Sequence, residues 1–360
     1  MSTLKVAALQ GVSASSDAIT LANDGTCTAN LSNRQGKNLL INGAMQVAQR
    51  GTSSTASGMK TVDRFNCSSS GTDETPTQEQ ADVASGTTPY TSGFKKSYKI
   101  TNGNQTSGAG SSDAIQIEYK SESQDIANSG WNFKSATSFL TMSFWVKSSV
   151  AQEFQCQLYN PDTNKAYLFT YTVSSADTWQ KITHSVKGDS NINFNVDNGA
   201  GLECAWYLFI GTDQTVASPT ENTWATYSGT STKKDAVSTW YTTNDATFEL
   251  TGVQWEVGSV ATDFEHLSYA DDLRRSMRYF QKYTDIRFKH YTDNNFDNGS
   301  FFVMPVAMRS TPTITKNQTV NTNGTVAPAN ANNLSVFMSL VRSSSGVQEA
   351  TFSPTFSSEL

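Results

Sequence analysis

Four aromatic residues stand in an otherwise polar stretch between residues 220 and 245. They are Trp224, Tyr227, Trp240 and Tyr241, and their neighbours are mostly Ser, Thr, Asn and Gly. Aromatic faces on loops stack on the apolar faces of sugars, while hydroxyl and amide side chains bind the sugar hydroxyls. The alternative is that these rings fold inward and cover the edge of a β-sheet. We therefore predict a ligand-binding role for the four residues and keep the packing alternative open.

No group of residues in the sequence has the spacing of a known catalytic motif. The three histidines, His184, His266 and His290, lie outside HExxH, nucleophile-elbow and Cys/His patterns. Carboxylates are present, but the sequence assigns no pair to a common glycosidase site. There is no P-loop and no GxGxxG that opens a helix. We therefore predict a protein that is not an enzyme, with polysaccharide depolymerase as a minor alternative.

The four cysteines give no indication of a metal site. Cys27, Cys67, Cys156 and Cys204 are widely spaced, with no CxxC and no neighbouring His. Cys156 lies in an alternating run, FQCQLY, that places it on the same face as Phe154 and Leu158. We predict buried, reduced thiols and assign no metal ligand.

The composition excludes several classes of protein. Charged residues make up 16% of the 360 residues, and the net charge of -6 provides no basic surface for nucleic acid. No apolar run approaches the roughly 20 residues that span a bilayer. The first residues, MSTLKVAALQ, lack the features of a signal peptide. We expect a soluble protein that is made in a cytoplasm and does not insert into membranes.

Short alternating runs from residue 38 to about 264 predict β-strands joined by polar turns. AWYLFI, residues 205–210, is apolar on both faces and predicts a central strand that is covered on both sides. In the run FELTGVQWEVG, the apolar residues expected to point inward change from even-numbered to odd-numbered positions at Gly252. This change fits a β-bulge or a sharp bend. With no helical period between the strands, the pattern predicts two packed antiparallel sheets, best described as a jelly-roll sandwich. In the main alternating runs, one face of each predicted strand is expected to point into the core. These faces are Ile115, Ile117 and Tyr119; Leu140, Met142, Phe144 and Val146; Tyr167, Phe169, Tyr171 and Val173; and Ile192, Phe194 and Val196.

One helix is predicted over residues 268–283. Ser268 is its candidate N-cap, and Asp271 completes a weaker capping box. The spacing places four side chains on one packing stripe: Tyr269, Leu273, Met277 and Phe280. The basic residues of the helix predict a solvated face, with contact to an acidic partner as the less favoured alternative.

The two ends of the chain are too small to bury a core alone. Residues 1–37 contain two strand-like runs, LKVAALQ and AITLAN, and predict an attachment arm that packs on another chain or stays extended, with a floppy terminus as the alternative. Residues 284–360 predict a smaller β domain, with a strand broken by Pro305 and a second strand at LSVFMSLV. The predicted division is therefore 1–37, 38–267, 268–283 and 284–360.

The order of several segments resembles bacteriophage tail fibres and fibre-like virion proteins of marine or cyanophage type. NLLINGAMQVAQRG, residues 38–51, followed by TVDRF, resembles the opening strand of their carbohydrate-binding-module-like jelly roll. LTGVQWEVGSVATDFEHLSYADDLRRSMRYFQKY is similar to its closing strand and following helix, and the resemblance extends to about residue 315. Asp263 departs from the family pattern, which usually has Pro there. Trp224 lies near a position where the family also tends to carry an aromatic residue, which favours packing for that ring.

The resemblance implies a virion protein that attaches to host cells without catalysis. It implies a homotrimer, contacts of residues 1–37 with other tail or virion proteins, and binding to a cell-surface glycan or protein. A capsid or tail decoration protein without receptor binding is the alternative. Sandwiches of this type often hold a calcium ion, but the sequence assigns no ligand cluster, and no other cofactor is expected.

Overall fold

Antiparallel strands are the main regular element of the computed structural model, which describes residues 6–10, 12, 19–21, 27–29, 36–292, 298–322, 324–329, 331–342 and 346–360. The first three strands, β1 (Ala8–Leu9), β2 (Ile19–Leu21) and β3 (Cys27–Ala29), form a small sheet of their own. None of the helices in the described part of the chain is long and apolar enough to cross a membrane.

Two six-stranded antiparallel sheets form the body of the protein. The first sheet has the order β14-β11-β10-β13-β8-β5, and the second has the order β12-β9-β15-β7-β6-β4. The chain passes repeatedly from one sheet to the other, so the predicted all-β jelly-roll sandwich is confirmed. The strands are β4 (Ser53–Ser54), β5 (Phe65–Ser70), β6 (Thr77–Asp82), β7 (Lys96–Thr101), β8 (Ala114–Glu122), β9 (Phe139–Ser148), β10 (Gln152–Asn160), β11 (Lys165–Val173), β12 (Gln180–Lys187), β13 (Ala200–Ile210), β14 (Trp224–Thr226) and β15 (Thr247–Val257).

Alternating apolar side chains from both sheets meet in one core. The inward faces of β8, β9 and β11 are buried as predicted, and β13 is covered on both faces along residues 206–210. Aromatic rings of the two sheets pack edge to face. The ring centroids of Phe144 and Trp206, for example, lie 5.9 Å apart, with an angle of 84° between the ring planes. Such packing makes the sandwich a rigid support for its loops.

The cysteines that the structure describes in full are buried, as predicted. Cys67, Cys156 and Cys204 are free thiols, and the Sγ atoms of Cys156 and Cys204 lie 3.4 Å apart inside the sandwich. Burial raises the pKa of the Cys67 thiol to about 12, so the thiol stays protonated and unreactive. The side chain of Cys27 lies outside the described residues.

The parity change near Gly252 is a β-bulge, one of the two alternatives that the sequence left open. The register between β15 and β9 shifts between Thr251 and Gln254. Gly252 has a φ of +62°, a left-handed conformation that favours glycine. The bulge returns Val253 and Trp255 to the core, where both are fully buried.

Two predicted strands are wrong. Residues 191–196, NINFNV, form no strand: Ile192 and Phe194 pack into the core, while Val196 is 76% exposed. Residues 38–51 form no strand either, because side chains satisfy the backbone in place of a neighbouring strand. Asn42 bonds to both the N–H and the carbonyl of Val47 at 2.9 Å. The result is an ordered, buried loop at the position where the resemblance implied a strand.

In the described part of the chain, four short α-helices interrupt the strands, where the sequence predicted one. They are α1 (Thr88–Thr91), α2 (Ser123–Ala127), α3 (Thr239–Thr242) and α4 (Tyr269–Ser276). The Ser268 cap is confirmed, since its Oγ accepts the Asp271 N–H at 3.2 Å. The helix nevertheless ends at Ser276 instead of residue 283, because Phe280 joins a strand. The predicted stripe is wrong at Tyr269, which is 54% exposed.

The C-terminal residues fold around a second apolar core. The strand β18 (Asn298–Val303) ends two residues before Pro305, and residues 335–342 form a strand, both as predicted. Three-stranded sheets with the orders β16-β24-β19, β17-β23-β20 and β18-β22-β21 enclose side chains such as Met338, Phe352 and Phe356. The strands are β16 (Phe280–Lys282), β17 (Ile286–Thr292), β18 (Asn298–Val303), β19 (Thr313–Thr315), β20 (Gln318–Thr322), β21 (Gly324–Ala329), β22 (Ser335–Arg342), β23 (Gly346–Phe352) and β24 (Thr355–Ser357).

A buried ion cluster joins the end of the chain to the sandwich. Arg64 is 0% exposed, and its guanidinium pairs with Glu359 and lies 3.5 Å from the centre of the Tyr279 ring. Arg50 Nη2 contacts the same Glu359 carboxylate at 2.8 Å, while its guanidinium stacks on Phe280. The penultimate residue of the chain is thereby held by two arginines of the sandwich.

We predict that Glu359→Gln lowers the free energy of unfolding by about 3 kcal/mol. The substitution leaves the Arg64 charge buried without its counter-charge, and breaking a buried pair costs roughly 3–5 kcal/mol. Urea unfolding followed by tryptophan fluorescence measures the change in the sandwich, since all seven tryptophans lie between residues 131 and 255. Asp82→Asn is the control: its pair with Lys96 is exposed, and the expected change is within about 0.5 kcal/mol. Equal losses in the two variants would contradict the proposed importance of the buried pair.

A second prediction concerns His184, whose imidazole stacks on Phe169 with centroids 4.0 Å apart. Burial lowers its pKa from 6.5 to about 4. The unfolded chain therefore binds more protons between these values, and the stability contributed by neutral His184 is present above pH 6.5 and lost as the pH falls toward 4. Asp63 acts in the opposite direction, because burial raises its pKa to about 6.

The pH dependence of His184→Gln isolates this contribution from that of Asp63. We expect the difference in unfolding free energy, variant minus wild type, to shift in favour of the variant by about 1–2 kcal/mol between pH 7 and pH 5. Denaturant unfolding at a series of pH values measures it. Parallel stability curves for the two proteins would contradict the lowered pKa.

Candidate functional site

Two of the four predicted aromatic residues are part of the core. Trp240 and Tyr241, both in α3, are 0% and 1% exposed. The Trp240 indole N–H donates to the Thr247 carbonyl at 3.0 Å, and the Tyr241 ring stacks on Phe209 at 4.3 Å. Their faces are covered by protein, so they offer no surface to a ligand. Trp240 and Tyr241 therefore have a packing role, which is the alternative that the sequence left open.

The other two residues have different positions. Trp224 is 7% exposed, its ring packs against Tyr167, and its indole N–H donates to the Lys187 carbonyl at 3.0 Å. It closes an edge of the sandwich, as its place in the resemblance suggested, and we no longer assign it to a ligand. Tyr227 is half-buried and reaches an open recess on the outer face of the first sheet, where its predicted ligand-binding role is retained.

This recess, which we call the tyrosine groove, lies over β8, β10 and β13. It has a volume of about 180 Å³. Inward-facing residues of these strands fill the core, so the alternate positions present polar side chains outward. The groove is lined by Gln116, Glu118, Gln157, Tyr159, Glu203, Cys204, Ala205, Tyr207 and Tyr227.

A long loop between β14 and α3, residues 227–238, shapes the groove. The loop crosses the outer face of the first sheet and is fixed to β10 by amide side chains. Gln155 Nε2 donates to the Lys234 carbonyl at 2.7 Å and its Oε1 accepts the Lys234 N–H at 2.9 Å, while Gln157 Nε2 donates to the Thr232 carbonyl at 2.8 Å. The loop thus covers part of the sheet and brings Tyr227 to the rim of the open part.

Two tyrosines form an aromatic wall of the groove. The Tyr159 and Tyr227 rings lie 4.6 Å apart, inclined at 46°, and Lys233 Nζ lies 5.3 Å from the Tyr227 ring centre. Burial raises the pKa of both hydroxyls above the ordinary 10.0, so both stay protonated. Each tyrosine therefore combines an apolar face with a hydroxyl that donates and accepts hydrogen bonds.

Carboxylates and amides form the polar part of the groove. Glu118 accepts hydrogen bonds from Gln116 and from Asn66, the latter at 2.5 Å, and Glu203 pairs with Lys120 at 3.3 Å. The oxygens of each carboxylate can accept more than one hydrogen bond. The arrangement is suited to accepting hydrogen bonds from ligand hydroxyls.

A larger cavity of about 930 Å³ lies beside α4 and α2. Its lining includes Arg274, Arg275 and Arg278, but Arg278 already binds Glu122 through Nε and Nη2 at 2.6 and 2.7 Å. Its only aromatic lining residue is Tyr279, which is 1% exposed. The lining of this cavity therefore lacks a pair of partly exposed tyrosines like that of the tyrosine groove, and we do not choose it as the candidate ligand site.

The structure describes no cluster of metal ligands. Among the described ranges, no group of three or more His, Cys, Asp or Glu side chains is placed to hold a metal ion. The calcium that the resemblance suggests has no set of side-chain ligands there. His184 and His266 lie on different segments and each contacts aromatic rings, and the side chain of His290 is outside the described residues.

Most of the groove was missed from the sequence. Tyr159 lies near the end of β10, and its partner Tyr227 is distant in the chain, so no local pattern joins them. Gln116 and Glu118 did carry a signal, because they occupy the outward positions of the alternating run IQIEY. Polar residues that alternate with a buried face mark a solvent-facing surface, although the surface alone does not identify a recess.

No protein-family model and no curated protein sequence matches this chain. Solved structures give weak similarity. The enzymatically active domain of tailspike protein 4 of bacteriophage CBA120 has a TM-score of 0.33 and 10% identity over 61% of this chain, and the match spans only 21% of the tailspike chain. A CBM4 carbohydrate-binding module gives 0.32 and 12% identity, over 60% of this chain and 98% of the module.

A third solved structure is the family 11 carbohydrate-binding module of the cellulase Lic26A-Cel5E of Clostridium thermocellum. Its TM-score is 0.29 at 10% identity, over 59% of this chain and 98% of the module. The neighbours are therefore carbohydrate-binding modules together with a tailspike domain, all at low identity. At these scores the similarity carries no argument about function, which rests on the geometry of the site.

Proposed function

We propose that this protein binds glycans without catalysis, through the tyrosine groove. The observation that carries the proposal is the pairing of the Tyr159 and Tyr227 rings beside outward-facing amides and carboxylates. A sugar ring has an apolar C–H face and a polar rim of hydroxyls, and the groove offers a counterpart for each. Because strands of one rigid sheet support most of these side chains, little ordering is needed on binding.

The roles of the individual residues follow from their chemistry. Tyr159 and Tyr227 contact the C–H face of a sugar, while Glu118 and Glu203 accept hydrogen bonds from its hydroxyls. Stacking that buries about 40–80 Å² of apolar surface per ring contributes about 1–2 kcal/mol. Single contacts of this size give weak, reversible binding, which several copies of a site strengthen by avidity.

We place this binding in the setting that the sequence resemblance implies: a tail fibre or fibre-like appendage of a phage virion. The resemblance over residues 38 to about 315 supports this setting, as does the adhesive chemistry of the groove. In this proposal the chain is a homotrimer, residues 1–37 attach it to other tail or virion proteins, and the groove contacts a glycan of the host surface.

We predict that Tyr159→Ala and Tyr227→Ala each weaken glycan binding about 5- to 30-fold. The estimate converts the loss of about 1–2 kcal/mol of stacking into affinity. A glycan array identifies a ligand, and calorimetric titration with that ligand measures the affinity. Tyr269→Ala is the matched control, because Tyr269 is 54% exposed and lies on α4 away from the groove. Wild-type affinity in both groove variants would rule out the groove as the binding site.

The setting in the virion has its own test. Light scattering is expected to give the mass of a trimer, and labelled protein is expected to bind host cells saturably and to block phage adsorption. Because avidity multiplies the effect at each site, the tyrosine variants should lose more cell binding than free-glycan binding. A monomer that does not bind cells would favour the decoration-protein alternative. Release of reducing ends from host polysaccharide would contradict the non-catalytic assignment.

A further inference from the structure

A second recess lies on the opposite side of the sandwich, on the outer face of the second sheet. We call it the aromatic slot. It has a volume of about 260 Å³. It is lined by Ser92, Phe94, Ser143, Trp145, Lys181, Gly252, Asp263, Phe264 and His266. Since the tyrosine groove opens on the first sheet, the two recesses face away from each other.

Aromatic rings line two sides of the slot. Trp145 is on an outward position of β9 and is half-buried. On the other side, Phe94, Phe264 and His266 pack against one another with centroids 4.8–4.9 Å apart. His266 is fixed by its Nε2, which donates to the Ser92 carbonyl at 2.9 Å because a carbonyl only accepts. The side walls are therefore apolar and positioned.

The floor of the slot depends on the bulge in β15. A Cβ added to Gly252 would lie 2.7 Å from Phe94 Cζ and 3.0 Å from Trp145 Cδ1, so the residue stands between the two walls. Glycine is therefore required here, because any side chain would clash with Phe94 and Trp145. The two aromatic side chains meet over Gly252 and close the floor of the slot, and a glycine in a strand is typical of such a close approach.

Opposite charges stand at the rim of the slot. Lys181 and Asp263 are exposed, and no hydrogen bond or ion pair within the described residues engages their side chains. Lys181 is directly across the strand pair from Trp145. An ammonium that donates and a carboxylate that accepts, beside apolar walls, match a ring with an apolar face and hydroxyl groups at its edge.

We infer that the aromatic slot is a second carbohydrate-binding site, which takes a single pyranose ring between Trp145 and the Phe264 side. Lys181 and Asp263 bind the hydroxyls of this ring. One chain then carries two glycan sites of different chemistry on opposite faces, so it can contact two glycan strands. The slot does not depend on the tyrosine groove, and each site can be tested without the other.

The test is titration with the methyl glycosides of glucose, galactose, mannose and N-acetylglucosamine, each up to about 10 mM, above the millimolar Kd of a weak ligand. The protein used is the full chain with Tyr159→Ala and Tyr227→Ala, which lacks the aromatic wall of the tyrosine groove and is called the groove-deficient protein. We expect saturable binding of at least one of these sugars. Adding Trp145→Ala should weaken that binding about tenfold or more. Asp263→Asn and Lys181→Ala should also weaken it, and they alter only exposed side chains, so a loss there does not come from misfolding.

Trp179→Ala is the matched control. Trp179 lies beside Lys147 next to β12, outside the slot lining, and its loss should leave sugar affinity unchanged. The inference is overturned if the groove-deficient protein binds none of the four glycosides, or if the three slot variants bind as tightly as their parent. Binding that survives groove removal and is lost in the slot variants supports the slot. Should groove removal leave the affinity of the array-identified glycan unchanged, the proposed function of the groove fails while the slot stands.

Discussion

The burial of the Arg64 guanidinium constrains the rest of the molecule. A cation without solvent is tolerated only beside a counter-charge and good hydrogen-bond partners. That counter-charge is Glu359, so the end of the chain must return to the sandwich. Its return brings β24 beside β16, where Phe280 pairs with Ser357. The Arg64 guanidinium also packs against the Tyr279 ring. One charged group therefore contacts both the segment that follows the sandwich, at Tyr279, and the C-terminal segment, at Glu359.

The same cluster gives a role to two of the segments that carry the resemblance. Arg50 lies in the run VAQRG, and Arg64 lies in TVDRF; both contact Glu359. The loop that contains the first run is packed so closely that a Cβ on Gly43 would lie 2.0 Å from the Val253 carbonyl oxygen. These segments therefore hold the chain together at the junction, and the two proposed sites lie away from it, on the outer faces of the two sheets.

Both outer faces follow one structural rule. A rigid sheet supplies outward side chains at fixed spacing, and a loop crosses part of that sheet to leave a recess. On the first sheet the loop is anchored by Gln155 and Gln157, and it carries Tyr227 to the rim. On the second sheet the segment after β15 carries Phe264 and His266 toward Trp145. Both proposed sites lie where loop and sheet meet, on supports that need little rearrangement.

The sequence by itself determined the features that depend on near neighbours. The alternation around Ile117 and Phe144 places those residues in the core, and the Ser268 cap starts α4, because strand period and capping act within a few residues. It also located the change of inward-facing positions at Gly252, which the register between β15 and β9 identifies as a bulge. Only the tertiary structure decided which aromatic rings remain open. Trp240 is buried because the core has space for its indole, and Tyr159 lies beside Tyr227 because a long loop folds back over the sheet. Such pairings depend on contacts between segments far apart in the chain, which no local pattern records.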